Sequence, residues 1–313
     1  MPERVVVALG GNALLRRGEP PTEAAQQRNA EVAAKAVAAV ARRHQTVVTH
    51  GNGPQVGLLA LESEALRQAQ DRAYRDVPPY GLDVLGAESQ GMIGFLLEQA
   101  LRNALDGTAV ATLLTTVLVD AADPAFAKPT KPVGPMYDEA TARQLAEARG
   151  WSIARDGAGF RRVVPSPRPR EILEIAAIRA LVQAGILVIC AGGGGVPVVR
   201  GADAIGALEG VEGVVDKDLT SALLAEALDA DWLLLLTDVE YVEWEWRTPR
   251  ARPIREASVA ELRRVAFEAG SMGPKVEAAC QFVERTGRRA AIGALANAPE
   301  MLLGRKGTLI RPS

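Results

Sequence analysis

Short apolar runs at residues 5–9, 46–49, 110–114, 186–191, 232–236 and 290–292 each end abruptly in glycine or a polar residue and give way to helix-like periodicity. Runs that are apolar on both faces suit the buried strands of a parallel sheet. Between them, Val32, Ala36, Val37 and Val40 fall on one side of a helix expected over about 23–43, and Ile172, Ile175, Ile178 and Val182 on one side of a second that Gly185 stops. This alternation predicts an α/β fold, a three-layer sandwich around a mainly parallel central sheet, in one domain spanning 1–313. Residues 120–170 break the rhythm: they hold seven of the chain's 19 prolines and read as turns, short strands and one helix near 141–148. A small protruding Pro-rich subdomain is expected there, either a semi-rigid flap over a site or a surface ornament.

Composition narrows the partners. A net charge of −2 gives no general attraction to nucleic acid or to an anionic membrane, so any bound phosphate must be held by local groups. No run approaches the roughly 18 apolar residues of a membrane span, and a cytoplasmic location is expected. Cys190 and Cys280 have no metal-type spacing and read as small buried hydrophobes, while His44 and His50 are too isolated for a zinc site, so no metal centre is expected. Of 36 basic residues only six are lysines, and Lys128, Lys131, Lys217 and Lys275 sit in short segments punctuated by Pro, Gly or Asp. That placement suits either compact point charges that arginine cannot replace or ordinary surface loops.

Three of the apolar runs end in glycine loops, at 9–13, 50–54 and 191–195. In an open parallel sheet such loops project from the carboxyl edge, where glycine lets peptide N–H groups approach an anion. Two common nucleotide signatures are absent. There is no Gly-Lys pair and hence no Walker A loop; and Gly51 and Gly53 meet Val56 where a dinucleotide fingerprint needs a third glycine, just as Gly192 and Gly194 run into Pro197. The lysines supply positive charge instead. Asp218 reads as the N-cap of a helix carrying Leu219, Leu223 and Ala227, which sets Lys217 beside its N-terminus; Pro274 suits a first helical position, which sets Lys275 in a first turn. A cation there opposes the helix dipole by about 0.3–1 kcal/mol and is relieved by an anionic partner such as phosphate.

Taken together, the segments at 8–14, 49–57, 89–94, 129–135, 161–167, 192–197, 216–218, 237–239 and 270–275 resemble the carbamate kinase family of the amino acid kinase fold along nearly the whole chain. The resemblance implies reversible phosphoryl transfer between ATP and carbamate, running from ADP and carbamoyl phosphate toward ATP in the cell. It also implies a homodimer, an acyl-substrate half at 1–200, a nucleotide half at 201–313 and an inserted flap at 120–170 carrying Lys131 to the substrate. Gly10, Gly11, Asn12, Gly51, Asn52, Gly53, Gly193 and Gly194 would line the acceptor and phosphoryl sites. Lys217 and Lys275 would hold phosphates, Asp218 and Asp216 would orient the lysines, and Asp238, Tyr241, Met272 and Gly273 would lie near the nucleotide, with Mg2+ bridging its phosphates. Residues 240–246 depart from the family's pattern, and Trp244 and Trp246, at period two, read as packing or interface residues.

The residue inventory fits this chemistry without the family name, because a carboxylate-type acceptor is already an anion and needs no general base. Two alternatives stay open: a kinase of the same fold acting on another small carboxylate, and a non-catalytic ligand-sensing homologue.

Overall fold

The computed structural model describes residues 2–11, 14–15, 18–52, 55–67, 77–201, 207–267 and 272–312. Its main sheet has the strand order β15-β17-β16-β12-β1-β2-β9-β3. Here β1 is Arg4–Leu9, β2 Gln45–His50, β3 Val110–Thr112, β9 Leu187–Ile189, β12 Trp232–Thr237, β15 Glu256–Ser258, β16 Arg289–Ala294 and β17 Thr308–Arg311. Neighbours run parallel except β16 and β17. The longer helices are α1 Glu23–Ala41, α2 Gln55–Arg67, α3 Leu82–Ala104, α4 Glu139–Arg149, α5 Ile175–Gln183, α6 Lys217–Ala227 and α7 Met272–Thr286.

Strand alternation decides how the layers form. Val5, Val7 and Leu9 of β1 pack with Ala33 and Val37 of α1 and Ile93 and Leu97 of α3, while Val6 and Ala8 face Ile178 of α5, Leu224 of α6 and Phe282 of α7. Both faces of the strand are thus removed from water, which is why its sequence is unbroken apolar rather than alternating. The result is the expected three-layer sandwich. Cys190 and Cys280 are free and buried, and no described helix is long and apolar enough to cross a membrane.

A second sheet has the order β11-β10-β4-β8, with β4 Thr116–Val119, β8 Pro169–Ile172, β10 Val196–Arg200 and β11 Leu208–Gly210. The Pro-rich stretch folds as a three-stranded antiparallel sheet, β5-β7-β6, formed by Lys131–Tyr137, Gly159–Val164 and Ser152–Asp156 respectively, with α4 inserted between β5 and β6. A small apolar cluster of Val56, Leu82, Leu85, Val133, Val164 and Val214 joins it to the body.

Three local expectations are corrected. The N-cap of α6 is Asp216, not Asp218: its side chain accepts from the backbone N–H groups of Asp218 and Leu219, at 2.9 and 3.4 Å. The helix α7 begins at Met272, so Pro274 is its third residue, where a missing N–H is harmless because the first four N–H groups have no partner within the helix. The period-two reading of Trp244 and Trp246 ends early. Strand β13, Val242–Trp244, pairs with β14, Arg252–Ile254, and Glu245 at φ +50° then turns the chain, leaving Trp246 exposed with Arg247 stacked 4.1 Å from its ring.

Candidate active site

Register brings the three glycine loops side by side. Leu9 lies level with His50 on one side and Leu236 on the other, and β9 adjoins β2, so the loops after β1, β2 and β9 emerge together at one edge. They touch closely: a Cβ on Gly51 would lie 3.1 Å from the Gly11 nitrogen and 3.5 Å from Cδ of Lys217. Gly194 has φ +97°, and a Cβ there would fall 2.6 Å from the Val215 carbonyl oxygen, so that position needs glycine for both conformation and space. The loop backbone accordingly packs against the segment leading into α6.

That segment places the charges. Lys217 is the first residue of α6 and bonds Oδ1 of Asp218; Nζ of Lys275, from the first turn of α7, donates to Oδ2 of the same carboxylate at 3.0 Å. Nζ of Lys131, at the start of β5, donates to Oδ2 of Asp216 at 3.0 Å, while Oδ1 of Asp216 caps the helix. Three ammonium groups from three elements therefore converge on two carboxylates two residues apart, leaving one positive charge in excess within this set. Hydroxyls fix the turn from behind. Ser221 Oγ donates to the Lys217 carbonyl at 2.6 Å, so Thr49 Oγ1, 2.6 Å from Ser221 Oγ, is the donor in that second bond; Thr220 Oγ1 donates to the Gly194 carbonyl at 2.9 Å.

Burial and charge compete at each group. Burial alone would raise the Asp218 carboxyl, but Lys217 and Lys275 hold it well below the usual carboxylate range. Asp216 behaves alike: burial raises it, Lys131 draws it down, and the net position is below the ordinary value. Burial depresses the Lys217 ammonium, with Asp218 offsetting only part, whereas for Lys275 burial is outweighed by Asp218, Asp216 and Asp238 together, and the ammonium is raised. His50 is fully buried, and burial brings its imidazole down to about 4, against a hydrogen bond between Nδ1 and the Gly51 carbonyl that raises it and with the Lys217 charge lowering it further. At neutral pH it is an uncharged support behind the glycine loops.

These groups floor a cleft of about 990 Å³. Of the residues singled out from sequence, Gly10, Gly11, Gly51, Asn52, Lys131, Gly193, Asp216, Lys217, Asp218, Asp238, Gly273 and Lys275 line it. Gly194 sits buried behind it, offering its carbonyl to Thr220. Tyr241 and Met272 are not on its wall: the Tyr241 hydroxyl accepts from Arg255 at 3.2 Å, and Met272 packs against the core. Asn12 and Gly53 lie outside the described residues.

Sequence reasoning gave no role in the site to Arg161, Thr49 and His50, although they fall in segments that carry the resemblance, and passed over Arg168, Thr220 and Ser221; Arg161 and Arg168 line the cleft, and the other four support it. A signal existed for two of them, since Thr220 and Ser221 follow Lys217 by three and four residues, one helical turn. Among the described residues no group of three or more His, Cys, Asp and Glu side chains is gathered to hold a metal ion, and both carboxylates on the cleft floor are engaged by lysines.

The model of the amino acid kinase family matches residues 3–294. The chain is 53% identical to a carbamate kinase of Rhizobium meliloti over 99% of its own length and 94% of that protein's. It is 49% identical to a carbamate kinase of Escherichia coli K12 over 98% of each. It is also similar in structure to carbamate kinase from Giardia lamblia bound to AMP-PNP, with a TM-score of 0.89 and 39% identity across 100% of this chain and 99% of that one.

Proposed function

The chain belongs to the amino acid kinase family and acts as a carbamate kinase, and from that premise we propose how its cleft transfers the phosphoryl group. The observation that carries the reading is the convergence of Lys131, Lys217 and Lys275 on Asp216 and Asp218 beside three adjoining glycine loops. In the synthetic direction a β-phosphate oxygen of ADP attacks the phosphorus of carbamoyl phosphate; the bond between phosphorus and the carbamate oxygen breaks, and its electrons leave with carbamate. No proton needs to move. Lys217 and Lys275 offset the charge spread over the transferring oxygens, and N–H groups of the glycine loops hold it in line. Lys131 meets the carbamate side.

The cleft draws its walls from both 1–200 and 201–313, which supports an acyl half and a nucleotide half meeting at the transferred group, with the Pro-rich sheet as the flap that delivers Lys131. The neighbour bound to AMP-PNP supports ATP and ADP as the nucleotides. Magnesium would enter as part of the nucleotide substrate and supply charge neutralisation at its phosphates, since Asp216 and Asp218 are already bonded to lysines. ATP formation is the cellular direction, in the cytoplasm and in a homodimer.

The test is ATP formation from ADP and carbamoyl phosphate in a coupled assay. Wild type is expected to turn over, and Lys131→Ala to lose about 10²–10³ in rate, by analogy with removal of one transition-state donor. A folded wild-type protein that binds nucleotide by calorimetry yet forms no ATP would overturn the reading.

A further inference from the structure

A second cavity, of about 270 Å³, lies apart from the cleft, between α2, the first turn of α3 and the Pro-rich sheet. Val56 and Val133 line both spaces and form the wall between them. The floor is apolar: Val56, Leu82, Leu85 and Val133 belong to the small cluster that joins the sheet to the body. Trp151 stands at the side, with the guanidinium carbons of Arg149 and Arg162 at 4.8 and 5.0 Å from its ring centroid.

The two arginines differ in one respect. Arg162 donates to Glu212 at 2.8 Å, and the other oxygen of Glu212 accepts from the Leu82 backbone, also at 2.8 Å. Arg149, with its side chain only 19% exposed, has Glu64 as its ion-pair partner at 3.8 Å, beyond hydrogen-bond reach, and makes no side-chain hydrogen bond among the described residues. A guanidinium withdrawn from water normally has its donors satisfied, so one that lines a cavity with donors unmet has room for an acceptor. The size is near the lower end of the roughly 300–1,000 Å³ of small-molecule sites.

We propose that this cavity binds a small monocarboxylate with an aromatic or branched apolar body, the body resting on Val56, Leu82, Leu85 and Val133 and the carboxylate on Arg149. Occupancy braces the Pro-rich sheet. Strand β5 runs from Lys131 on the cleft to Tyr137 on the cavity, and α2 abuts it so closely that a Cβ on Gly57 would fall 2.3 Å from Cα of Gly134. A ligand filling the space behind β5 therefore limits how far the strand can shift. The proposal concerns a separate site and does not depend on the reaction assigned to the cleft.

The probe is 3-phenylpropionate, compared with its uncharged amide, by ligand-observed saturation-transfer NMR and calorimetry on the full chain. Because the cleft lysines also attract carboxylates, the variants decide. Wild type is expected to bind the acid saturably and the amide about tenfold more weakly, as loss of a charge-assisted bond implies. Arg149→Met should weaken the acid by about tenfold, and Ala60→Phe, which fills the cavity, should abolish its binding, while Lys275→Gln should leave it intact. These two cavity substitutions act by different means, so either one that folds, as judged by circular dichroism, gives the answer. The acid should also slow amide hydrogen exchange over 131–137 in wild type. Absence of saturable binding, binding kept in the folded cavity variants, or binding lost in Lys275→Gln overturns the site; unchanged exchange overturns the bracing.

Discussion

At the carboxyl edge of the main sheet the charged side chains are buried and bonded to one another, whereas the Arg143–Glu139 pair on the helix of the Pro-rich sheet stands in water. Lys217 and Asp218 are 11% and 5% exposed, and their neighbours are backbone and hydroxyl groups fixed by α6, β2 and the glycine loops. Arg143 and Glu139, one turn apart on α4, are 70% and 56% exposed. The first arrangement holds charge in place before any ligand arrives, at a cost in desolvation that only complete pairing offsets; the second leaves charge mobile and nearly without energetic consequence. Lys131 belongs to both regions, since it grows from the exposed sheet and ends on the buried floor.

The sharpest way to break this contrast is Asp218→Asn. It leaves two ammonium groups without their shared carboxylate, and the loss of stability should be about 3–5 kcal/mol, read from the midpoint of urea unfolding. A loss below about 1 kcal/mol would mean that the edge is no more rigidly built than an exposed pair.

Acid provides the next test. The unfolded chain takes up a proton on His50 near 6.5, the folded chain only near 4, so the unfolded state binds more protons between those values and stability must fall as pH decreases through that window. The full effect is about 3 kcal/mol, and His50→Gln should flatten the dependence when unfolding is compared at pH 7 and pH 4.5. Asp216 and Asp218 act in a different range: their folded values lie below the ordinary one, so their contribution is present above about pH 4 and is lost only as the medium becomes more acidic still. The Pro-rich sheet has no histidine and should not share the first transition.

The smallest effect belongs to the exposed region. Arg143→Ala removes an i,i+4 pair on α4 and should change stability by no more than about 0.5 kcal/mol in the same urea experiment.

How much of this was legible in the chain follows from where the determining forces act. The strands of the main sheet were legible because burial on both faces writes an unbroken apolar run, and the glycine loops because close backbone approach at Gly51 and Gly194 excludes a Cβ. The lysines stood out by scarcity. The cap of α6 was assigned to the wrong aspartate because Asp216 and Asp218 are equally good caps locally, and only tertiary bonds from Lys131, Lys217 and Lys275 divide their roles. Arg161 and Arg162 could not be told apart either. They alternate on β7, so one lines the cleft and the other the second cavity, a distinction that exists only once the sheet is folded.

One consequence remains in the two oxygens of Asp216. Oδ1 closes the first turn of α6 and Oδ2 receives Lys131, so the tasks are carried by separate lone pairs. A displacement of Lys131 would therefore break only the Oδ2 bond and leave closed the turn that positions Lys217. Contact with the neighbouring sheet is thereby insulated from the frame of the helix.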